Sequence, residues 1–543
     1  MLDRSTIDML IPILRKDSKR TLKMKVRGFP SPYYCSFLLR DIEWFNTWAS
    51  SGSVYRKRSD HTRNVYADIR VNSYKRDQTT NGGLFDNDDE LESINHITLP
   101  IDTKCHDALR LALWRLSEAK FREALTDYSE KEAARVSTVD ENGKYASFTK
   151  LPPCYDVKYS RLETLDENKW VNFCKTASKW IAELPKVSTS WVEFDTSQET
   201  KLFVSTENRI IVRHFRIFSL FAVMRNLTKE GVNIEQNLVF HVTTQKELPT
   251  AKQFKKLILE KHKQLLNLIH SKRIHSFSGP VLLAQKPAGL LFHEAIGHRL
   301  EGNRLLFSGE GQTFKGKVGQ KIIEVPLDIS DDPTVTRFKS RGCIGAYDFD
   351  DEGTPAAEAK LVQDGALTGF LNSRAAIPVP NNTLNGHARS RKYQRPISRM
   401  AVTIVKGKNP VTWDELKQKL IEEIRAQKKP FGMIVYETAG GETDTTKYDF
   451  QAFSGEISYA TLVTKTGREY VVRGVNFVGT PLQALSSIIA VGDEQILENH
   501  YCGAESGIIP VSTISPAILI KNLELQAKNE ELVTQYILPR PRL

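Results

Sequence analysis

Between Thr189 and Thr244 four β-like runs follow one another: TSWVEFD, TKLFVSTE, RIIVRHFRIFSLFAVMRN and QNLVFHVTT. Only short polar stretches, TSQE and TKEGVN among them, lie between the runs, too short for the crossover that parallel neighbours need. The expectation is an antiparallel meander. Helical patterns flank it. From Cys105 to Arg135 apolar residues recur at three- and four-residue spacing (Cys105, Ala108, Leu109, Ala112, Leu113, Leu116), which predicts a long amphipathic helix. A second helix is expected over Asp166–Leu184, starting at acidic residues and ending before Pro185, and a Lys-rich third over Pro249–Arg273. The first hundred residues mix aromatic and polar stretches and include DQTTNGGLFDNDDELES, which reads as an exposed loop.

After FSGPVLLA the composition shifts toward glycine and short β runs, with turn signals DDEGTP, QDGAL, KGKNP, AGGET and KTGRE and one interrupting helix, TWDELKQKLIEEIRAQ. A chain of 543 residues exceeds what one core organises. We therefore expect an α+β fold in two domains: residues 1–274, helices plus the meander, and residues 275–543, mostly β with a few helices. No internal repeat is visible in either half.

No run approaches the roughly eighteen apolar residues of a membrane-spanning helix, and Asp3, Arg4 and Asp8 break the apolar patch at the amino terminus. The expectation is a soluble, cytoplasmic protein without a signal peptide. Six cysteines (Cys35, Cys105, Cys154, Cys174, Cys343, Cys502) lie far apart with no C-x-x-C pair, which reads as reduced thiols, one of them available to a metal. The net charge of +11 raises a nucleic-acid reading. Its clusters, KRTLKMKVR, KQFKKLILEKHK and SRKYQR, are interleaved with acids and joined to no recognised nucleic-acid motif, so a solvated basic surface is expected instead. GQTFKGK, Gly311–Lys317, matches the first part of a phosphate-binding loop, but Val318 stands where the loop needs a hydroxyl and no strand leads in. It reads as a turn.

The chemistry concentrates in LLFHEAIGHRLEG, Leu290–Gly302. In the H-E-x-x-H pattern of zinc proteases the histidines are four apart and share a helix face. Here His293 and His298 are five apart, which on a regular α-helix turns them about 140° from each other. Either they are incidental histidines on a buried helix, or the helix carries a π-type bulge whose i to i+5 repeat returns both to one face. Gly297 lowers the resistance of that turn to distortion. A catalytic zinc takes three protein ligands, and ENHYCGAESGIIPVSTISP offers His500 and Cys502, two apart, either or both of which can face the site from a strand.

Several stretches occur in the order found in the TldD/PmbA family of metalloproteases: LFHEAIGHRLEG, DDEGTPAAEAKLVQDGALTGFL, AGGETDTTKYDFQAFSGEISYA, YVVRGVNFVGTPLQAL and CGAESGIIPVSTISPAILI. The chain resembles that family over roughly Gly279–Leu523. The resemblance implies a metal-binding helix in the C-terminal domain, one Zn2+ per chain held by His293, His298 and Cys502, and Glu294 as general base. All four residues are retained, as in the catalytic type. It further implies dimers, of two copies or with an inactive paralogue, that enclose their active sites and admit unfolded or short peptides, including the leader of a modified peptide. Arg299 departs from the small residue common in the family after the second histidine, and the amino-terminal half is divergent.

Two other segments are candidates for substrate contact. His387 and Arg389 in NGHARS could donate to a developing oxyanion, with a surface turn as the plainer reading. Gly440, Gly441, Glu442 and Thr443 in AGGET could form a sheet edge to which a peptide adds as a strand, with a hairpin turn as the alternative. Against the peptidase reading stand a noncatalytic zinc-containing subunit that binds a protease partner or peptide, and a nucleic-acid-binding regulator. Intact Glu294 argues against the first, because a structural zinc has no need of a general base.

Overall fold

The computed structural model describes residues 2–79, 97–102, 106–137, 145–159, 164–307, 310–379, 383–445, 452–529 and 532–534. The chain is α+β, as expected, and is built on two large sheets that share no strand. The first has a long hairpin, β1 (Pro32–Ser50) and β2 (Ser53–Val71), followed by β3 (Thr189–Ser205), β4 (Arg209–Leu227) and β5 (Asn233–Val242). β1 pairs antiparallel with both β2 and β3, β3 with β4, and β4 with β5. The meander is present, with one correction. TSQE is no turn: Thr196 to Glu199 lie within β3, whose residues alternate between buried and half-buried from Ser190 to Lys201. A polar stretch can continue a strand when one of its faces meets polar surroundings.

That alternation explains the layering. Phe37, Leu39, Leu202, Val204, Ile210 and Val212 point to one face, where α1 (Arg4–Thr21) and α2 (His106–Ser137) cover them. Farther along the same strands, Phe45, Val192, Phe194, Leu220 and Ala222 meet α3 (Glu167–Ala182) and α4 (Ala251–Ile269). Asp166 caps α3 by accepting from the Lys169 N–H, and Thr250 and Gln253 form a capping box at the start of α4. The helix foreseen from Cys105, itself outside the described residues, is present over His106–Ser137, and Leu109, Leu113 and Leu116 form its buried stripe. The expected exposed loop lies outside the described residues from residue 80 on; Asp77, Gln78 and Thr79 are buried.

The second sheet runs through β6 (Ser276–Leu283), β7 (Leu327–Asp331), β8 (Val402–Gly407), β9 (Phe431–Thr443), β10 (Phe453–Thr464), β11 (Ile488–Ala504) and β12 (Gly507–Ala527), with shorter strands at its margins. β12 is central: it pairs parallel with β8 and antiparallel with β6 and β11, and β6 in turn pairs parallel with β9. Two helices lie against it, α5 (Gln285–Phe292) directly after β6 and α6 (Trp413–Ala426).

The halves meet through buried charge. DDEGTP, read as a turn, makes one in which Asp351 accepts from Arg40 (2.7 Å) and Lys201 (2.6 Å) of the first sheet, while Arg209 donates to the Gly353 carbonyl (2.7 Å). The uncovered face of the first sheet and the facing C-terminal residues line an open cavity of about 1770 Å3, among them Trp44, Trp191, Arg213, Phe349 and Tyr501. Among the described residues no helix is long and apolar enough to cross a membrane, and no two cysteines form a disulfide.

Candidate metal centre

Helix α5 passes without a break into a π-turn at His293–Gly297, where the His298 N–H bonds to the His293 carbonyl, an i to i+5 connection. This is the distortion that the five-residue spacing requires, and it brings the two imidazoles together with ring centroids 5.0 Å apart. Gly297 has a different reason from the one expected. Its backbone is ordinary right-handed helix, φ −55° and ψ −62°. A Cβ there would fall 1.9 Å from Met400 Sδ, so glycine is required by close packing and not by torsion.

The other donor comes from β11, where residues two apart share a face. His500 and Cys502 face the histidines, and Tyr501 between them lines the large cavity on the opposite side. His293, His298 and Cys502 each offer a donor atom, and the three atoms lie within 4.8 Å of one another, all buried. Cys502 Sγ is 3.3 Å from His298 Nε2. Two imidazole nitrogens and a thiolate suit zinc, and tetrahedral N–Zn–S geometry gives a separation of about 3.6 Å, so the donor set fits such an ion. His500 is not among the three: its Nε2 lies 3.4 Å from His293 Nδ1, which leaves His293 Nε2 for a metal. A supporting hydrogen bond on the far ring nitrogen is the common arrangement at metal-binding histidines.

Charges around the donors are matched. Burial opposes the Cys502 thiolate, but His298, Arg399 and His293 outweigh it and hold its pKa well below the ordinary thiol range. Burial likewise opposes the His298 imidazolium, and Cys502 and Glu301 overcome it and raise the pKa. Glu301 is itself desolvated, yet Arg304 and His298 bring its carboxyl down to about 2. Glu294 is 4 % exposed; burial raises its pKa, against the lowering by His293 and His298. Glu301 and Arg304 stand within the H-R-L-E-G-N-R stretch, where an acid and a base three apart were the available signal; Arg399 carried none.

Arg299, the departure from the small residue, is buried and donates to Thr443 Oγ1 and the Asp444 carbonyl, both at 2.8 Å. It ties the metal turn to the end of β9. Gly440, Gly441, Glu442 and Thr443 are strand residues paired with Glu456, Gly455, Ser454 and Phe453 of β10, which corrects the turn reading of AGGET. β9 pairs with β6 only over Met433–Val435, so among the described residues no strand pairs with the outer edge of Glu437–Thr443. Gly441 lies against Leu290 of α5, one turn before His293.

His387 and Arg389 are not on a surface turn, since both are buried. The His387 ring sits between Asn385 (2.8 Å) and Asp331 (3.2 Å), and Asp331 also accepts from the Ala401 and Val402 N–H groups. Arg389 donates to the Met400 and Pro510 carbonyls. Their hydrogen bonds fasten backbone beside Arg399 and run to none of His293, His298 and Cys502. The GQTFKGK stretch forms turns, Lys315 N–H to Gln312 O and Lys317 N–H to Phe314 O, as expected.

Residues 276–527 match the model of the PmbA/TldA metallopeptidase C-terminal domain. A protein of Methanothermobacter thermautotrophicus named metalloprotease is 34% identical over 234 residues, 43% of this chain and 47% of the relative. A zinc metalloprotease TldD homolog of Saccharolobus solfataricus is 23% identical over 362 residues, 66% of this chain and 76% of the relative. The chain spans about half the length of the first curated relatives it matches. The crystal structure of TldE from Thermococcus kodakarensis aligns over 96% of this chain and 100% of its own with a TM-score of 0.60 at 13% identity, a likeness of fold that extends across the divergent amino-terminal half. Residues 276–527 thus form a domain of the TldD/PmbA family.

Proposed function

We propose that the protein is a zinc-dependent peptidase that hydrolyses peptide bonds in unfolded or short peptides, leader segments of modified peptides included. The observation that carries this reading is the π-turn, which brings His293 and His298 together beside Cys502 and holds buried Glu294 in the same turn. His293, His298 and Cys502 would hold one zinc. When bound, zinc supplies a Lewis acid for the peptide carbonyl and lowers the pKa of water toward neutrality. Glu294, buried and electrostatically coupled to both histidines, takes the proton of the attacking water and delivers it to the leaving amine. The open edge of Glu437–Thr443 accepts an extended peptide by main-chain hydrogen bonds, which explains preference for unfolded chains. Gly440, beside which a Cβ would meet nothing within 4 Å, leaves the approach to that edge open.

Glu294→Gln tests the assignment. The variant should retain zinc and lose hydrolysis of an unstructured peptide pool by about 10²–10⁴-fold, the usual worth of a general base. Full activity in Glu294→Gln would refute the role, and zinc retained in Cys502→Ala would refute the donor set. By the family resemblance the working unit is a dimer, of two copies or with an inactive paralogue. A monomeric mass in solution together with full activity would refute that.

A further inference from the structure

Arg399 is completely buried on a stretch that no motif marked. Its four Nη–H groups have four acceptors: Ser506 Oγ (2.9 Å) and the Gly507 carbonyl (3.0 Å) on one side, the Cys502 carbonyl (2.9 Å) and Cys502 Sγ (3.2 Å) on the other. Its Nε lies 3.3 Å from Glu301 Oε1. That same carboxylate oxygen is 3.2 Å from His298 Nδ1, while Glu301 Oε2 accepts from Arg304 at 2.6 Å. The turn between β11 and β12 could be secured by the contacts to Ser506 and Gly507 alone. Securing it does not require a guanidinium N–H aimed at sulfur, nor a carboxylate that joins the guanidinium to the histidine three residues upstream.

We propose that Glu301 and Arg399 form one positioning pair that fixes two of the three metal donors: Glu301 turns His298 so that Nε2 faces the site, and Arg399 donates to Cys502 Sγ and holds its strand end. The inference rests on the reading of His293, His298 and Cys502 as a metal site. It adds that the pair orients the donors and sets the electron density on the sulfur. A charge-assisted N–H bond stabilises the sulfur lone pairs, so ligand-to-metal charge transfer from this thiolate needs more energy than from a bare one. Partners of this kind are worth about 10–100-fold in metal affinity.

Cobalt(II) titration of the chelator-treated full-length chain tests the pair, because a cobalt–thiolate site reports on its sulfur through the charge-transfer band. Wild type should bind cobalt with such a band. Arg399→Met should bind about 10–100-fold more weakly, with the band moved to longer wavelength. Ser506→Ala, which removes a turn contact without touching sulfur, should keep both affinity and band position, and Arg399→Lys, which restores a donor to sulfur, should move the band back toward wild type. Wild-type affinity or an unmoved band in Arg399→Met overturns the proposal, as does an equal loss in Ser506→Ala, which would assign the effect to the turn. If Arg399→Met does not fold, Glu301→Gln takes its place, with weakened cobalt binding expected and unchanged binding overturning the pair. Failure of wild type to bind cobalt or zinc would instead overturn the metal reading itself.

Discussion

Gly297→Ala separates two accounts of the π-turn. If glycine is present because the turn needs a pliable backbone, alanine should be mildly favourable, since its backbone angles are helical and replacing glycine within a helix gains about 0.5–1 kcal/mol. The packing account gives the opposite sign. The new Cβ would meet Met400 Sδ at 1.9 Å, Cε at 2.8 Å and Cγ at 3.1 Å, so the whole side chain must change rotamer within a packed core. Met400 is fully buried, and its carbonyl is held by Arg389, so the backbone cannot retreat. Overpacking of this kind costs about 1–3 kcal/mol. Set against the helical gain, the net loss is roughly 0–2.5 kcal/mol. Met400→Ala removes the obstacle, so a double-mutant cycle isolates the clash: the coupling should be about 1–3 kcal/mol, or roughly 5- to 150-fold in the equilibrium for local opening. Native-state hydrogen exchange of the amides of residues 293–298 reads that opening directly. Slower exchange in Gly297→Ala than in wild type, or no coupling with Met400→Ala, would refute the packing account.

The interface between the halves gives a second expectation. Asp351→Asn takes one of two carboxylates from buried Arg40, which keeps Glu199, and the partner of half-buried Lys201, and should cost about 1–3 kcal/mol, measured by urea unfolding; a loss below 1 kcal/mol would show the cluster to be unimportant. Asp195 tests the cavity wall. Burial pushes its carboxyl up to about 6, against the hydrogen bond from Trp44, so the folded chain holds this proton more tightly than the unfolded chain does. Its contribution is therefore favourable at low pH and is lost as pH rises from about 4 to 6, by roughly 2–3 kcal/mol. Asp195→Asn should flatten that portion of the stability–pH curve, and an unaltered curve would refute it. At the strand edge, Gly440→Ala should leave the thermal midpoint unchanged, whereas Gly441→Ala brings a Cβ to 2.9 Å from both Leu290 Cδ1 and the Ser454 carbonyl and should lower it. Equal midpoints would refute the close approach of β9 to α5.

What the sequence made legible and what it withheld divide along physical lines. The π-turn was readable because two histidines five apart can share a metal only through that distortion, a constraint contained within six residues. Cys502 was readable as a candidate and not as a choice, because alternation along a strand puts residues 500 and 502 on one face equally. The outcome depends on which of them reaches past His293, and that is decided in the tertiary structure. Met400 is over a hundred residues from Gly297, so the reason for the glycine had no local signature. The same distance hid Arg399, whose acceptors lie on the β11–β12 turn. His387 and Arg389 were misjudged for a related reason: polar side chains usually signal exposure, and only a buried Asp331 and two carbonyls brought from elsewhere reverse that rule. TSQE was misjudged because Ser197 and Glu199 face the cavity between the two halves of the chain while Thr196 and Gln198 are buried on the other face of the strand. These misses share one feature, in that a contact that decides each of them comes from a distant segment. The donors of the metal centre are thus legible in two short motifs, while the groups that hold those donors in place are assembled from elements the motifs do not contain, and it is there that substitutions remote from the H-E-x-x-x-H stretch should act on metal binding.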